Sequence, residues 1–217
     1  LSDCLEQWAQ SAPDRSLVAR RDHGGDWRHV SYAQMLDRAR RVGQTLVDLG
    51  LSVDRPVAIL SGNDIEHLTL ALGAMWAGVP YVPISTAYSL VSQDYGKLRH
   101  ILGVVTPGLV FASDDRFAKA IAAVLPADVP VVLTEGAAEA AVDGPLAGRR
   151  VLGFNSLLAA EPGPTLAAAH AAVGPDSIAK FLFTSGSTKA PKGVVNTHRM
   201  ICANQQQVRQ CMAFLAE

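Results

Sequence analysis

The chain of 217 residues is poor in cysteine, with three in all, and none of Cys4, Cys202 and Cys211 falls in a CxxC spacing. That excludes zinc–thiolate and dithiol redox chemistry of the usual pattern, and three thiols cannot pair completely, so a reducing, cytosolic setting is expected. None of the six histidines stands in HExxH or another recognisable metal spacing, and no metal ligands are assigned. Long apolar runs are also missing. The most apolar stretch, Leu68 to Val82, is broken by Gly73, Gly78 and Pro80. It falls short of the roughly 20 apolar residues that a bilayer span requires, so no membrane span is expected. Charge of one sign is not in excess: 19 Lys and Arg face 20 Asp and Glu, for a net charge of −1. Without a basic run there is no polyelectrolyte patch, and nucleic acid is not an expected partner. The N-terminus has neither a basic region nor an apolar signal core and starts at Leu1, so the chain is expected to begin inside a longer gene product.

What remains is ample apolar material. Hydrophobic residues make up 49% and charged residues 18%, enough to offset chain entropy and exclude disorder as the main state. Ser31 followed by Gln34 has the capping-box form ahead of Tyr32, Met35, Leu36, Ala39, Val42, Leu46 and Leu49, an amphipathic helix closed by Gly50. Pro56–Leu60 reads as a strand covered on both faces. Asn63 and Glu66 give a second capping signature before a helix running to Gly78. Strands are expected at Val79–Ile84, Leu109–Ala112 and Val129–Leu133, with helices at Ser92–Leu102 and Asp114–Leu125 between them. Such alternation calls for an α/β fold: an open, mainly parallel sheet with helices on both faces. Residues 134–150 and 160–177, rich in Ala, Gly and Pro, read as surface connections. Trp76 and Tyr81 read as core aromatics, and Asp94, Lys97 and Arg99 as a solvated helix face.

The informative segment runs from Phe183 to Gly193, after the apolar strand Ala179–Phe183 and before a β-branched run at Val194–Val195 and a helix from about Thr197. It supplies the hydroxyls of Thr184, Ser185, Ser187 and Thr188, Gly186, and the ammonium groups of Lys189 and Lys192. Hydroxyls, consecutive backbone N–H groups and a compact cation suit a polyphosphate. It is not a Walker A loop, in which glycine precedes lysine and a helix follows. A solvated hairpin connection would share the composition, but it gives no reason for this order of residues.

Thr184-Ser185-Gly186-Ser187-Thr188, two further residues, then Pro191-Lys192-Gly193 closely resembles the phosphate-binding signature of the AMP-forming acyl-CoA synthetases, members of the adenylate-forming superfamily. Asp54–Asn63 and Gly78–Ile84 are similar to the start of the large N-terminal domain of these ligases. Ala87–Leu98 and Asn196–Gln205 look like the feruloyl-CoA synthetase subgroup. The resemblance implies the first part of an N-terminal ATP-binding domain, divided into an α/β subdomain over 1–177 and a phosphate-loop strand–loop–strand–helix over 178–217. The family's acyl pocket, adenine contacts, magnesium site and C-terminal domain would lie beyond Glu217. It implies an acid–thiol ligase that activates a carboxylic acid, ferulate or a related hydroxycinnamate, with ATP and Mg²⁺ and passes the acyl group to coenzyme A. This fragment alone would be inactive. Thr184, Ser185, Gly186, Ser187, Thr188 and Lys192 would hold the β- and γ-phosphates, with Gly193 allowing close backbone approach. His198 is a candidate of a different kind, a histidine at a helix start that could approach the substrate or serve only as a capping or surface group. Lys189 departs from the family, which usually has glycine there: either the loop differs locally or the extra ammonium contributes to phosphate binding. Two readings of other classes stay open, a non-catalytic nucleotide- or phosphate-binding module and an α/β interaction domain. Apolar surface left uncovered by truncation would favour self-association of the fragment.

Overall fold

The computed structural model describes residues 1–21, 24–184, 190–212 and 214. An N-terminal helix, α1 (Ser2–Ser11), leads into an antiparallel hairpin of β1 (Ser16–Arg21) and β2 (Trp27–Ser31). Helix α2 (Tyr32–Asp48) opens on the expected capping box: Ser31 Oγ accepts from the Gln34 N–H, and Gln34 Oε1 accepts from the Ser31 N–H at 3.0 Å. Gly50 closes it in the left-handed region, φ +67°, where a side chain would be strained. Then come β3 (Val57–Leu60), α3 (Ile65–Trp76), β4 (Tyr81–Pro83), a short α4 (Ala87–Leu90), α5 (Gly96–Val105), β5 (Leu109–Ala112), α6 (Ala118–Val124), β6 (Val131–Leu133), α7 (Ala137–Asp143), β7 (Val151–Gly153) and α8 (Pro164–Ala171). The segment ends with β8 (Ile178–Thr184), β9 (Lys192–Thr197) and α9 (His198–Cys211).

Among the described residues, seven strands form one sheet in the order β7-β6-β5-β3-β4-β8-β9. All neighbours are parallel except β8 and β9, which form an antiparallel hairpin at one edge. The architecture is therefore the expected mainly parallel α/β sheet. The two-residue period of a strand sorts its side chains to opposite faces. Ala58, Leu60, Val110 and Ala112 meet Leu98, Ile101 and Ile121 from α5 and α6. Val57, Ile59, Leu109 and Phe111 meet Val42, Leu46, Leu70 and Ala74 from α2 and α3. Both faces are covered, which is why the strands read as continuous apolar runs rather than alternating ones.

Several sequence expectations are corrected. The cap of α3 is Asp64, not Asn63: the Asp64 carboxylate accepts from the His67 N–H at 2.6 Å. Residues 134–150 are not a plain connection, since α7 forms there and buries Ala140, with Leu146 buried beyond it. Residues 160–177 contain α8, which buries Leu166 and stacks His170 on Trp76 with ring centroids 4.1 Å apart. Trp76 is a core aromatic as expected, whereas Tyr81 is half-buried. The helix expected from Ser92 starts at Gly96, behind a turn in which Asp94 accepts from the Gly96 N–H and the Ser92 hydroxyl. These bonds hold the Asp94 carboxyl below its ordinary range, so this residue caps a turn and is not part of a helix face. Lys97 lies over the Tyr88 ring at 5.3 Å.

Candidate functional site

The sheet brings its candidate site to the end of the β8–β9 hairpin. Strand β8 carries Phe181 and Phe183 against the core that α5 and α6 share. Its register with β9 sets Phe183 opposite Gly193 and Thr184 opposite Lys192. The Thr184 hydroxyl and the Lys192 ammonium thus stem from facing positions at the mouth of the loop, both on exposed residues. Ser185, Gly186, Ser187, Thr188 and Lys189 lie outside the described residues. Gly193 has a packing role of its own: a Cβ there would stand 3.3 Å from Cζ of Phe183, so glycine lets the ring lie across the strand. Pro191, at the loop's exit, is buried, and its carbonyl accepts a hydrogen bond from Nε2 of His100 on α5 at 3.0 Å. Nothing in the sequence flagged His100, because the contact joins positions 91 residues apart.

Strand β8 runs parallel to β4, so Thr184 emerges at the carboxyl edge of the sheet, where open α/β folds form their ligand crevices. A second cavity, of about 490 Å³, lies at the same edge beyond β3, β5 and β6 and was not evident in the sequence. Its carboxylates include Asp64, Glu66, Asp114 and Asp115, and its Arg116 is held by Asp114 through a bidentate contact at 2.8 and 2.9 Å. The Arg116 guanidinium keeps the Asp114 carboxyl below its ordinary range, while burial raises that of Asp64. So acidic a wall disfavours a polyphosphate.

His198 is placed elsewhere. It follows the last residue of β9, whose six residues separate it from Lys192 by roughly 17–20 Å at the usual strand rise. The structure therefore does not bring it together with Thr184 and Lys192. Nor is it a cap or a surface group: Thr197 caps α9 by accepting from the Met200 N–H, and the His198 ring is buried. Burial pulls its pKa down, and among the described residues Nε2 has no hydrogen-bond partner. The ring borders a cavity of about 610 Å³ with His170, Val173 and Cys202. Beside it Arg199 makes a paired contact to Asp176, 2.8 Å for each bond.

No group of three or more His, Cys, Asp or Glu side chains able to hold a metal ion occurs among the described residues. Among the same residues, no helix is long and apolar enough to cross a membrane.

Comparison with known proteins gives a consistent picture. The family described as AMP-binding enzyme matches residues 5–216. The chain is 31% identical over 194 residues to a (7a-methyl-1,5-dioxo-octahydro-1H-inden-4-yl)propanoyl:CoA ligase of Rhodococcus jostii, covering 86% of this chain and 36% of that protein. It is 29% identical over 210 residues to a probable non-canonical nonribosomal peptide synthetase of Salinispora arenicola, covering 96% of this chain and 2% of the synthetase. Its fold matches that of a fatty acyl-adenylate ligase from L. pneumophila, solved with acyl adenylate and pyrophosphate, with a TM-score of 0.69 at 19% identity over 96% of this chain and 32% of that one. The chain thus spans about a third or less of the length of these relatives.

Proposed function

Since the chain belongs to the AMP-binding enzyme family, we propose that the protein is an adenylate-forming acid ligase and that this segment supplies its triphosphate-binding hairpin. The carrying observation is the register that sets Thr184 against Lys192 at the carboxyl edge of the sheet. In the first step a carboxylate oxygen attacks the α-phosphorus of ATP. The bond from that phosphorus to the bridging oxygen breaks, and pyrophosphate leaves with the electron pair. The segment's task is electrostatic and positional: hydroxyls of Thr184, Ser185, Ser187 and Thr188 and the amide of Gly186 donate to the β- and γ-oxygens, and Lys192 offsets the charge that gathers on the leaving pyrophosphate. Mg²⁺, when bound at the phosphates, would supply further charge neutralisation.

In the second step the thiol gives up its proton, its sulfur attacks the acyl carbonyl carbon, and the bond from that carbon to the phosphate oxygen breaks as AMP leaves with the electron pair. The CoA ligase among the relatives favours coenzyme A as the thiol. The finer reading, ferulate or a related hydroxycinnamate as the acid, rests on Ala87–Leu98 and Asn196–Gln205. Division into subdomains 1–177 and 178–217 belongs to the same reading, with the hairpin as the phosphate-bearing part.

The test is ATP–pyrophosphate exchange by the complete gene product with Mg²⁺, comparing ferulate, benzoate, acetate, a medium-chain fatty acid and a panel of amino acids. Exchange that requires ferulate supports both levels of the proposal. Exchange with another acid keeps the ligase and discards the subgroup. Absence of exchange with all of them favours the non-catalytic phosphate-binding module.

A further inference from the structure

We infer that His100 is a positioning residue of the phosphate hairpin, pinning the exit of the loop to α5 so that Lys192 and Thr184 face a common anion. The inference rests on the reading of the hairpin as a triphosphate site, but the pinning itself rests on geometry. Leu98, Ile101 and Leu102 bury one side of α5 in the core that also receives Phe181 and Phe183 of β8. The helix therefore underlies the strand, and the half-buried imidazole of His100 reaches from it to the Pro191 carbonyl at 3.0 Å.

Each partner is suited to the role. A carbonyl oxygen can only accept, so the ring nitrogen facing it must carry hydrogen; Nε2–H does so in the neutral ring and in the imidazolium alike. Pro191 has no backbone N–H, its ring fixes φ, and burial makes a partner for its carbonyl obligatory. Holding that carbonyl orients the Pro191–Lys192 peptide plane. Lys192 is the next residue and the cross-strand partner of Thr184, so the same bond sets the stem from which both phosphate-facing side chains rise. Without it, the exit of the loop would lose its hydrogen bond to α5.

The experiment uses the complete gene product with two substitutions. His100→Gln keeps an N–H donor of similar reach, and His100→Phe keeps the ring and removes the donor. Amide hydrogen exchange is read at Lys192–Val194, together with the KM for ATP and the KM for the acid. In His100→Phe, faster exchange at these amides is expected, with a KM for ATP raised about five- to tenfold, the scale of one lost hydrogen bond to a buried carbonyl. The KM for the acid should stay close to wild type, the unfolding temperature should fall by no more than the few degrees that one unsatisfied carbonyl explains, and His100→Gln should restore the exchange rate and the KM for ATP. A merely structural histidine would leave the two KM values in their original ratio, whatever the fall in unfolding temperature. Unchanged exchange in His100→Phe overturns the pin; faster exchange with an unchanged KM for ATP overturns the positioning role. If the wild type activates no acid, the ligase reading fails, and hydrogen exchange still decides whether His100 pins the loop. Should His100→Phe not fold, His100→Asn, whose amide falls short of the carbonyl, replaces it with the same expectations.

Discussion

Replacing Gly73 by alanine adds one methyl group where α2 and α3 cross, and the structure leaves no room for it. The new Cβ would stand 2.7 Å from Cγ1 of Val42, 2.8 Å from its Cβ and 2.9 Å from the carbonyl oxygen of Ala39. Carbon atoms pack best at about 3.5–4.0 Å, so the deficit approaches 1 Å. A rotamer change cannot relieve it, because the Val42 Cβ and the Ala39 carbonyl move only with α2 itself. Overpacking of this kind costs typically 1–3 kcal/mol, and contacts to backbone and Cβ place Gly73→Ala toward the upper end. Against this, alanine gains about 1 kcal/mol over glycine inside a helix. The net expectation is a loss of about 2 kcal/mol, which in a chain of this size lowers the melting temperature by roughly 4–8 °C. Gly103, in α5, supplies the control: nothing among the described residues lies within 4 Å of its added Cβ, so Gly103→Ala should show the propensity gain alone. Thermal and urea unfolding followed by circular dichroism would measure both. Opposite signs are expected; a Gly73→Ala protein as stable as Gly103→Ala would refute the close crossing of α2 and α3. Because that crossing lies on the sheet face opposite α5, the KM for ATP should not move in Gly73→Ala.

Three further outcomes are expected. In the complete gene product, Lys192→Ala should raise the KM for ATP by roughly ten- to a hundredfold, the scale of a charge-assisted hydrogen bond, and isothermal titration with ATP would expose an unchanged affinity. Burial lowers the pKa values of His67 and His198 below the ordinary 6.5, so the unfolded chain binds more protons than the folded one in the acid range. Stability contributed by these neutral rings is fully present above about pH 6.5 and is lost as pH falls toward their folded values; urea midpoints at pH 7.5 and 5.5 should differ accordingly, and less so in His198→Gln. Residues 1–217 expressed alone expose Val194, Val195 and Met200 on β9 and α9, and light scattering at rising concentration should show self-association rather than a monodisperse monomer.

The parallel sheet was legible because strands buried on both faces leave a strong trace. Val57–Leu60 and Leu109–Ala112 are unbroken apolar runs, and each is a strand with all four residues buried. Helix α7 and helix α8 left no such trace, since α7 buries only Ala140 and α8 only Leu166, too little apolar side chain to set up a period. Asp64 displaced Asn63 as a cap because one residue's difference in the start of a helix is decided by backbone geometry, to which sequence spacing is blind. At the site, Thr184, Lys192 and Gly193 could be picked out because a contiguous motif stays contiguous in the hairpin. His100 could not, since its role arises only when α5 is folded beneath β8.

The strand order also dictates when the proposed nucleotide site can come into being. Strand β8 joins the sheet through β4, pairing Lys180 with Tyr81, about 100 residues earlier, and such distant contacts are the slow ones to form. On a ribosome, β3 to β7 can assemble as their helices emerge, whereas the hairpin has no edge to dock on until β4 is in place. On the proposed reading, binding of ATP would thus report that this hairpin has docked, and early folding defects in α2, α3 or β4 would be read as a missing nucleotide site rather than as a weakened one.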